Sequence, residues 1–281
     1  MTIRTVTLPN GETVPSLGIG TWNMAERPKN RADEIAALQA AVDLGMTVID
    51  TAEMYGNGAA EQLVAEALGT RRREIFLVSK VMPQNASRRG TVAACEASLR
   101  RLNTDRLDLY LLHWRGSVPL EDTLEAFDAL HQQGKIRHWG VSNFDVDDME
   151  ELASLRPGAA SQAAANQILY NLKRRGVEFA LLPWCRARGI PVMAYSPLEQ
   201  GALLKQKTLK AIGDRLQASA AQVALAWVLR QEGVLAIPKA GSVEHVQENR
   251  RAHDLQLSPE DLKELDAAFP RPARKTALEM I

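Results

Sequence analysis

Cysteine is nearly absent: the 281 residues hold two, Cys95 and Cys185. They lie far apart, match no metal-ligand spacing and fall in predicted helices, which fits reduced thiols in a cytoplasmic protein. There is no excess of charge of either sign, because 34 Lys and Arg residues balance 34 Asp and Glu. Without a long-range field, neither nucleic acid nor a membrane surface is an expected partner. No uninterrupted apolar run approaches the ~20 residues of a spanning helix, and the opening MTIRTVTLPNG has no signal-peptide core. A nucleophile elbow, a P-loop and a zinc spacing are all missing. Gly18-x-Gly20 lacks the third glycine of the dinucleotide fingerprint, since position 23 is Asn. Histidine is sparse as well. Of five, only His113 ends a predicted strand, whereas His131, His138, His245 and His253 fall elsewhere, which argues against a metal-dependent barrel hydrolase.

What is present is ordinary for a globular protein, 46% apolar and 24% charged. Residues 2–14 read as a hairpin turning at Pro9-Asn10-Gly11, where Asn-Gly tolerates positive φ. Short apolar runs then alternate with longer helical periods. The runs are Leu17–Gly20, Thr47–Ile49, Glu74–Val78, Leu107–Leu112, Ile136–Val141, Ala163–Ala165, Ile190–Ala194 and Val234–Ile237. Between them, helices are predicted near 31–45, Ala59–Leu68, Gly90–Leu102, Leu120–Gln133, after a cap at Asp145, and at Gly176–Arg188. Helices at Thr208–Leu216, Ala220–Gln231, Ser242–Arg251 and Ser258–Ala268 follow. Eight such units, with strands apolar on both faces, predict a (β/α)8 TIM barrel with an N-terminal β-hairpin plug and extra C-terminal helices. One domain is expected over residues 1–281, and an open doubly wound sheet is the alternative.

The informative residues are those that end the strands. Asp50, Lys80, His113, Asn143, Gln167, Tyr195 and Lys239 occupy the C-terminal tips of strands two to eight, which converge on one face of a barrel. Singly, each has a bland role: Asp50 as a helix cap, Lys80 as a solvated cation, His113 as a core histidine. Together they mark a site. Tyr55, on the loop after Asp50, would be tuned by a nearby lysine toward lower pKa and could then protonate an alkoxide. Asp50 would keep that lysine charged, and neutral His113 could hold a carbonyl. Ser142, Asn143, Gln167 and Tyr195 suit a nicotinamide amide and ring. Lys239, before a helix opened by Ser242, is placed for phosphate. Trp22, Met24, Met54 and Trp114 are expected to wall a substrate pocket beside Tyr55 and His113.

At GIGTW (18–22), DTAEMYGNG (50–58), LVSK (77–80), DLYLLHW (108–114), GVSNF (140–144), NQILYN (166–171), AYSPL (194–198) and IPK (237–239) the chain resembles the aldo-keto reductases. The resemblance runs nearly end to end. It implies reduction of aldehydes or ketones by a nicotinamide cofactor, with Asp50, Tyr55, Lys80 and His113 as the catalytic tetrad. It further implies cofactor contacts at Gly20, Thr21, Asp50, Ser142, Asn143, Gln167, Tyr195, Ser196, Leu198, Gly201, Lys239, Glu248 and Asn249. Many relatives carry Ser or Thr after the IPK lysine, and an arginine where this chain has His245. Here Ala240 and Gly241 precede Ser242, and an imidazole is charged only in mildly acidic solution. NADPH is still expected over NADH, by a reduced margin. The chain is most similar to bacterial reductases of methylglyoxal and related 2-oxoaldehydes, and less so to diketogluconate reductases. A cofactor-binding regulatory subunit is the alternative from another class. The short tail after Pro270 implies an open pocket for small carbonyls, and a monomer is expected.

Overall fold

A computed structural model of the chain describes residues 2–155, 158 and 162–281. Two antiparallel strands, β1 (Thr5–Thr7) and β2 (Thr13–Pro15), form the N-terminal hairpin. Eight parallel strands follow in sequential order: β3 (Ile19–Gly20), β4 (Val48–Asp50), β5 (Phe76–Val81), β6 (Leu107–Leu112), β7 (Ile136–Ser142), β8 (Asn166–Leu169), β9 (Val192–Tyr195) and β10 (Val234–Ala236). The seam between β10 and β3 is closed by isolated bridges, Leu17 to Ala236 and Gly20 to Lys239. Across it Gly18 N donates to Ala236 O at 2.9 Å, and Ala236 N donates to Ser16 O at 2.9 Å. At Gly20 a Cβ would stand 2.8 Å from Ile237 O, so glycine permits this approach. The result is the expected (β/α)8 barrel.

Helices α1 (Arg31–Asp43), α2 (Ala59–Leu68), α3 (Arg88–Leu102), α4 (Leu120–Gln132), α5 (Val146–Leu155), α6 (Leu181–Ala187), α7 (Lys207–Leu216), α8 (Ala220–Leu229), α9 (Val243–Ala252) and α10 (Pro259–Ala268) surround the strands. Ser87, Ser219, Ser242 and Ser258 each accept a backbone N–H at the start of α3, α8, α9 and α10. Asp145, expected as a cap, accepts from the adjacent Val146 N, while Asp148 reaches back to Asp145 N. No helix of the described residues is long and apolar enough to cross a membrane.

Strand alternation sorts side chains into two cores. Val48, Phe76, Val78, Leu109 and Leu111 point into the barrel and meet Val6, Leu8 and Val14 of the hairpin, which plugs its lower end. Their neighbours Ile49, Leu77, Tyr110 and Leu112 face the helices and pack with Leu38, Leu63, Leu99 and Phe127. Each such buried side chain contributes on the order of 1.5–3 kcal/mol. The same alternation carries forward from Phe76 and Val78 to Lys80, and from Val48 to Asp50, turning both charges inward. Cys95 and Cys185 are free and buried, and burial pushes both thiols up to about 12.

Several boundaries differ from the sequence expectation, among them β5, which runs Phe76–Val81 and not Glu74–Val78. The sixth barrel strand begins at Asn166, not Ala163, although Ala164 N already donates to Trp139 O. On its other side the partner of Asn166 is Val192, so Ala165 faces Pro191, which has no N–H to extend the ladder. For the same reason the strand expected from Ile190 starts at Val192. The predicted Gly176–Arg188 helix is a 3-10 turn at Gly176–Glu178 followed by α6, whose first turn is the only part of a helix that can hold Pro183 without losing a bond.

An ion cluster pins the plug. Arg137 Nη2 donates to both Glu12 oxygens at 2.7 and 2.8 Å, His138 Nε2 lies 2.7 Å from Glu12, and Arg137 Nη1 donates to Asp108 at 3.0 Å. Burial alone would raise the Glu12 carboxyl, but the His138 and Arg137 hydrogen bonds hold it below its ordinary 4.5. A depressed carboxylate stabilises the fold above its unfolded value, and that contribution disappears as pH falls through the folded one. Glu12→Gln should therefore be less stable than the parent at neutral pH. In denaturant titrations the gap should narrow as pH falls below the ordinary carboxylate range and close once folded Glu12 has taken up its proton.

Candidate active site

The site forms where β4 and β5 end. Asp50 closes β4, and the chain then enters a tight turn, Tyr55–Gly58, before α2. Gly56, Asn57 and Gly58 all have positive φ (55°, 52° and 88°), which glycine and asparagine accept most readily. This turn sends Tyr55 back over the barrel mouth. Lys80, on β5, is completely buried. Its Nζ donates to Asp50 Oδ2 at 2.8 Å, to Thr51 O at 2.8 Å and to the Tyr55 hydroxyl at 3.1 Å. The other Asp50 oxygen accepts from Gln167 Nε2 at 2.7 Å.

Burial works against the Lys80 ammonium, yet Asp50 and Tyr55 more than offset it and hold its pKa above 10.5. Tyr55 departs from the expectation. Burial pushes the phenol up, the Lys80 charge opposes this, Asp50 adds to it, and the pKa ends above its ordinary 10. The lysine thus limits the rise without reversing it, and the phenol keeps its proton at neutral pH. His113, just past β6, presents its ring edge-on to Tyr55 with centroids 5.9 Å apart. Burial, then the Lys80 charge, pushes its pKa down to about 2, so the imidazole is neutral. Its Nδ1 is buried without a hydrogen-bond partner among the described residues.

A second chain of bonds shapes the floor. Tyr195 OH donates to Asn143 Oδ1 at 2.9 Å, Asn143 Nδ2 donates to His113 O at 3.0 Å, and Ser142 Oγ donates to Gln167 O at 2.8 Å. The Tyr195 ring is thereby fixed with one part exposed to a cleft of about 1010 Å³. Gly20, Asp50, Tyr55, His113, Ser142, Asn143, Gln167, Tyr195, Ser196, Leu198, Gly201, Lys239, His245, Glu248 and Asn249 all line it, together with Trp22, Met54 and Trp114. Lys80 sits behind Tyr55 and Asp50.

Three expected residues lie elsewhere. Met24 is fully buried in the helix-facing core, so it is no pocket wall. Thr21 is fully buried and donates to Asp50 O at 3.0 Å, supporting the aspartate from behind. Ser242 caps α9 instead of lining the cleft. The tail also departs from the expectation of an open mouth. Lys275 pairs with Asp147 and Arg174 with Glu279, and these anchors bring Met280 and Ile281 to the cleft. Sequence reasoning missed Lys210 on α7, and Ser219, Ala220 and Ala221 at the start of α8, which line its far end. The S-A-A-Q capping box was a legible signal for the last three, whereas nothing local separates Lys210 from other surface lysines.

The size and lining fit a dinucleotide. A small carbonyl compound would fill a fraction of this volume, which stands at the upper end of ligand pockets. Amides and a fixed aromatic face lie near Tyr55, and the exposed Lys239 and Lys210 have no ion pair among the described residues. The aldo/keto reductase family model matches residues 16–269. The chain belongs to the aldo/keto reductase family. Methylglyoxal reductase YeaE of Escherichia coli is 53% identical over 274 residues, 96% of each chain. Glyoxal reductase of Bacillus subtilis is 38% identical over 94% of this chain and 92% of its own. The crystal structure of an aldo-keto reductase from Klebsiella pneumoniae in complex with NADPH superposes with a TM-score of 0.96 at 48% identity, covering 100% of both chains.

In this aldo/keto reductase the Lys80–Asp50 pair is buried on both sides, so removing one partner strands the other charge. Asp50→Ala should cost about 3–5 kcal/mol in denaturant unfolding. Adding Lys80→Met should return part of that loss, and a strictly additive double variant would contradict the coupling.

Proposed function

We propose that the chain is an NADPH-dependent reductase of small aldehydes and ketones, 2-oxoaldehydes such as methylglyoxal among them, with Tyr55 as proton donor. The observation that supports this most is the hydrogen bond from a buried ammonium to a protonated phenol beside a neutral imidazole, at a dinucleotide-sized cleft. The substrate class draws on the relatives named for methylglyoxal and glyoxal, and the cofactor on the relative crystallised with NADPH.

When bound, NADPH supplies the hydride. Gln167, Asn143 and Ser142 are positioned to hold its carboxamide, and the Tyr195 ring to stack on the nicotinamide. Gly20, Ser196, Leu198, Gly201, Glu248 and Asn249 line the cleft where they would hold the body of the cofactor, with Lys239, Lys210 and His245 for its phosphates. Trp22, Met54 and Trp114 supply an apolar wall for the carbonyl compound. Neutral His113 hydrogen-bonds the carbonyl oxygen and leaves the proton to Tyr55. As negative charge develops on that oxygen, the phenol passes its proton to it, and Lys80 stabilises the phenolate left behind. Asp50 keeps Lys80 charged and, through Gln167, ties it to the floor.

Tyr55→Phe should lower kcat by at least about 10²-fold, the scale of a positioned general acid. NADPH affinity, read by fluorescence titration, should stay within a few-fold. Lost binding with preserved turnover of methylglyoxal would reverse the assignment. Lys239→Ala and Lys210→Ala should each weaken NADPH by about ten-fold or more, the worth of a charge-assisted bond. A loss confined to NADPH places the cation on the 2′-phosphate, an equal loss for NADH places it on the diphosphate, and no loss for either removes it from the cofactor site.

A further inference from the structure

The Tyr55 hydroxyl and the Lys80 ammonium belong to different elements, so something must fix one against the other. Lys80 is held by the β5 ladder, but the Tyr55 turn has no sheet partner, and three of its residues have positive φ. Behind the pair, outside the barrel, stands Glu61 of α2, fully buried. One of its oxygens accepts from Ser79 Oγ at 2.6 Å, and the other accepts from Arg101 Nε of α3 at 2.5 Å. Ser79 is the strand neighbour of Lys80, its side chain turned to the helices while Lys80 turns inward. Arg101 also donates to Ser98 at 3.1 Å, and its side chain passes beside Gly58. A Cβ on Gly58 would stand 2.5 Å from Arg101 Cδ and Nε, so this glycine serves both the positive φ and the contact. None of these groups reaches the cleft, and none has a place in the proton transfer.

We infer that Glu61 is a positioning residue for the reaction: its carboxylate ties the back of the strand carrying Lys80 to the arginine that buttresses the Tyr55 turn, and so sets the Lys80–Tyr55 hydrogen bond. One carboxylate spans two elements because its two oxygens serve different partners, one a strand hydroxyl and the other a helix guanidinium. A charged bond to Arg101 resists displacement more than a neutral one. The geometry needed for proton transfer is narrow, so a shift of about 1 Å at the turn costs about 10²-fold in rate.

The inference rests on the reductase reading, and its test separates the two. In Glu61→Gln the amide keeps the shape and an acceptor for Ser79 but turns an N–H₂ toward Arg101. In Ser79→Ala the strand limb alone is cut, with little risk to folding. Both should lower kcat for methylglyoxal by about ten-fold or more while KM and NADPH affinity stay within about two-fold. Ser79→Thr, which keeps the hydroxyl, should restore kcat. Crystal structures of the two impaired variants should show Tyr55 O and Lys80 Nζ beyond hydrogen-bond distance. Unchanged kcat in an active parent background would overturn the inference and leave the reductase reading intact. An unchanged Tyr55–Lys80 distance would overturn it whether or not the parent reduces any carbonyl, and a loss of rate matched by loss of NADPH affinity would mark Glu61 as merely structural.

Discussion

A fully buried ammonium is the constraint on which the site depends. Lys80 carries its charge where water cannot reach, and three oxygens replace its hydration: a carboxylate, a backbone carbonyl and a phenol. Take away the carboxylate and the charge has no adequate counter-ion, so the barrel mouth must either admit water or neutralise the lysine. Two other features follow from the same charge. It opposes the rise of the Tyr55 pKa, and it adds to burial in keeping His113 neutral. One ion thus sets the protonation states of two aromatic neighbours.

The barrel makes such a placement possible. Side chains alternate along β4 and β5, so the apolar interior at Val48, Phe76 and Val78 gives way, two residues further on, to Asp50 and Lys80. The hairpin plug fills the lower end with Val6, Leu8 and Val14, and the upper end is left open for the polar groups at the tips of these strands. The outward neighbours are not idle. Ser79 and Thr51 lie in the same register as the functional residues, and their bonds run back to α2 or forward to Lys80. A strand tip in this fold has an inner and an outer face, and on the proposed reading both bear on the chemistry.

Much of this was legible in the sequence because period and punctuation agreed. Ala59–Leu68 and Leu107–Leu112 could be bounded to the residue, since glycine precedes the first and the second is apolar throughout. The convergence of Asp50, Lys80, His113, Asn143, Gln167 and Tyr195 followed from strand order alone. What escaped depends on three-dimensional neighbours. Pro191 delays β8 through a partner strand, which no window around Ala163 reveals. Met24 looks like a rim residue by position, yet the turn after β3 drives it wholly inward. The direction of the Tyr55 shift is a contest between burial and a neighbouring charge, and burial can be judged only in the folded chain. Lys210 lines the cleft beside the start of α8, on which α7 packs, a contact invisible in a helix read singly.

The two ends of the cleft are built on opposite electrostatic terms. At the Tyr55 end the charges are compensated within the protein before any ligand arrives, so the dipoles are already oriented and little reorganisation remains for the reaction itself. At the other end Lys239 and Lys210 stand in water, exposed and without ion-pair partners among the described residues. On the proposed reading, a phosphate there meets cations that cost little to desolvate and contribute equally before and during hydride transfer. Such uniform binding holds the cofactor without changing the barrier, whereas interactions that strengthen as charge moves onto the carbonyl oxygen lower it. That division explains why a chain with no net charge needs no general field to attract its ligand. On that reading the two exposed cations serve to anchor the cofactor, and the buried Lys80 is reserved for the step in which charge moves.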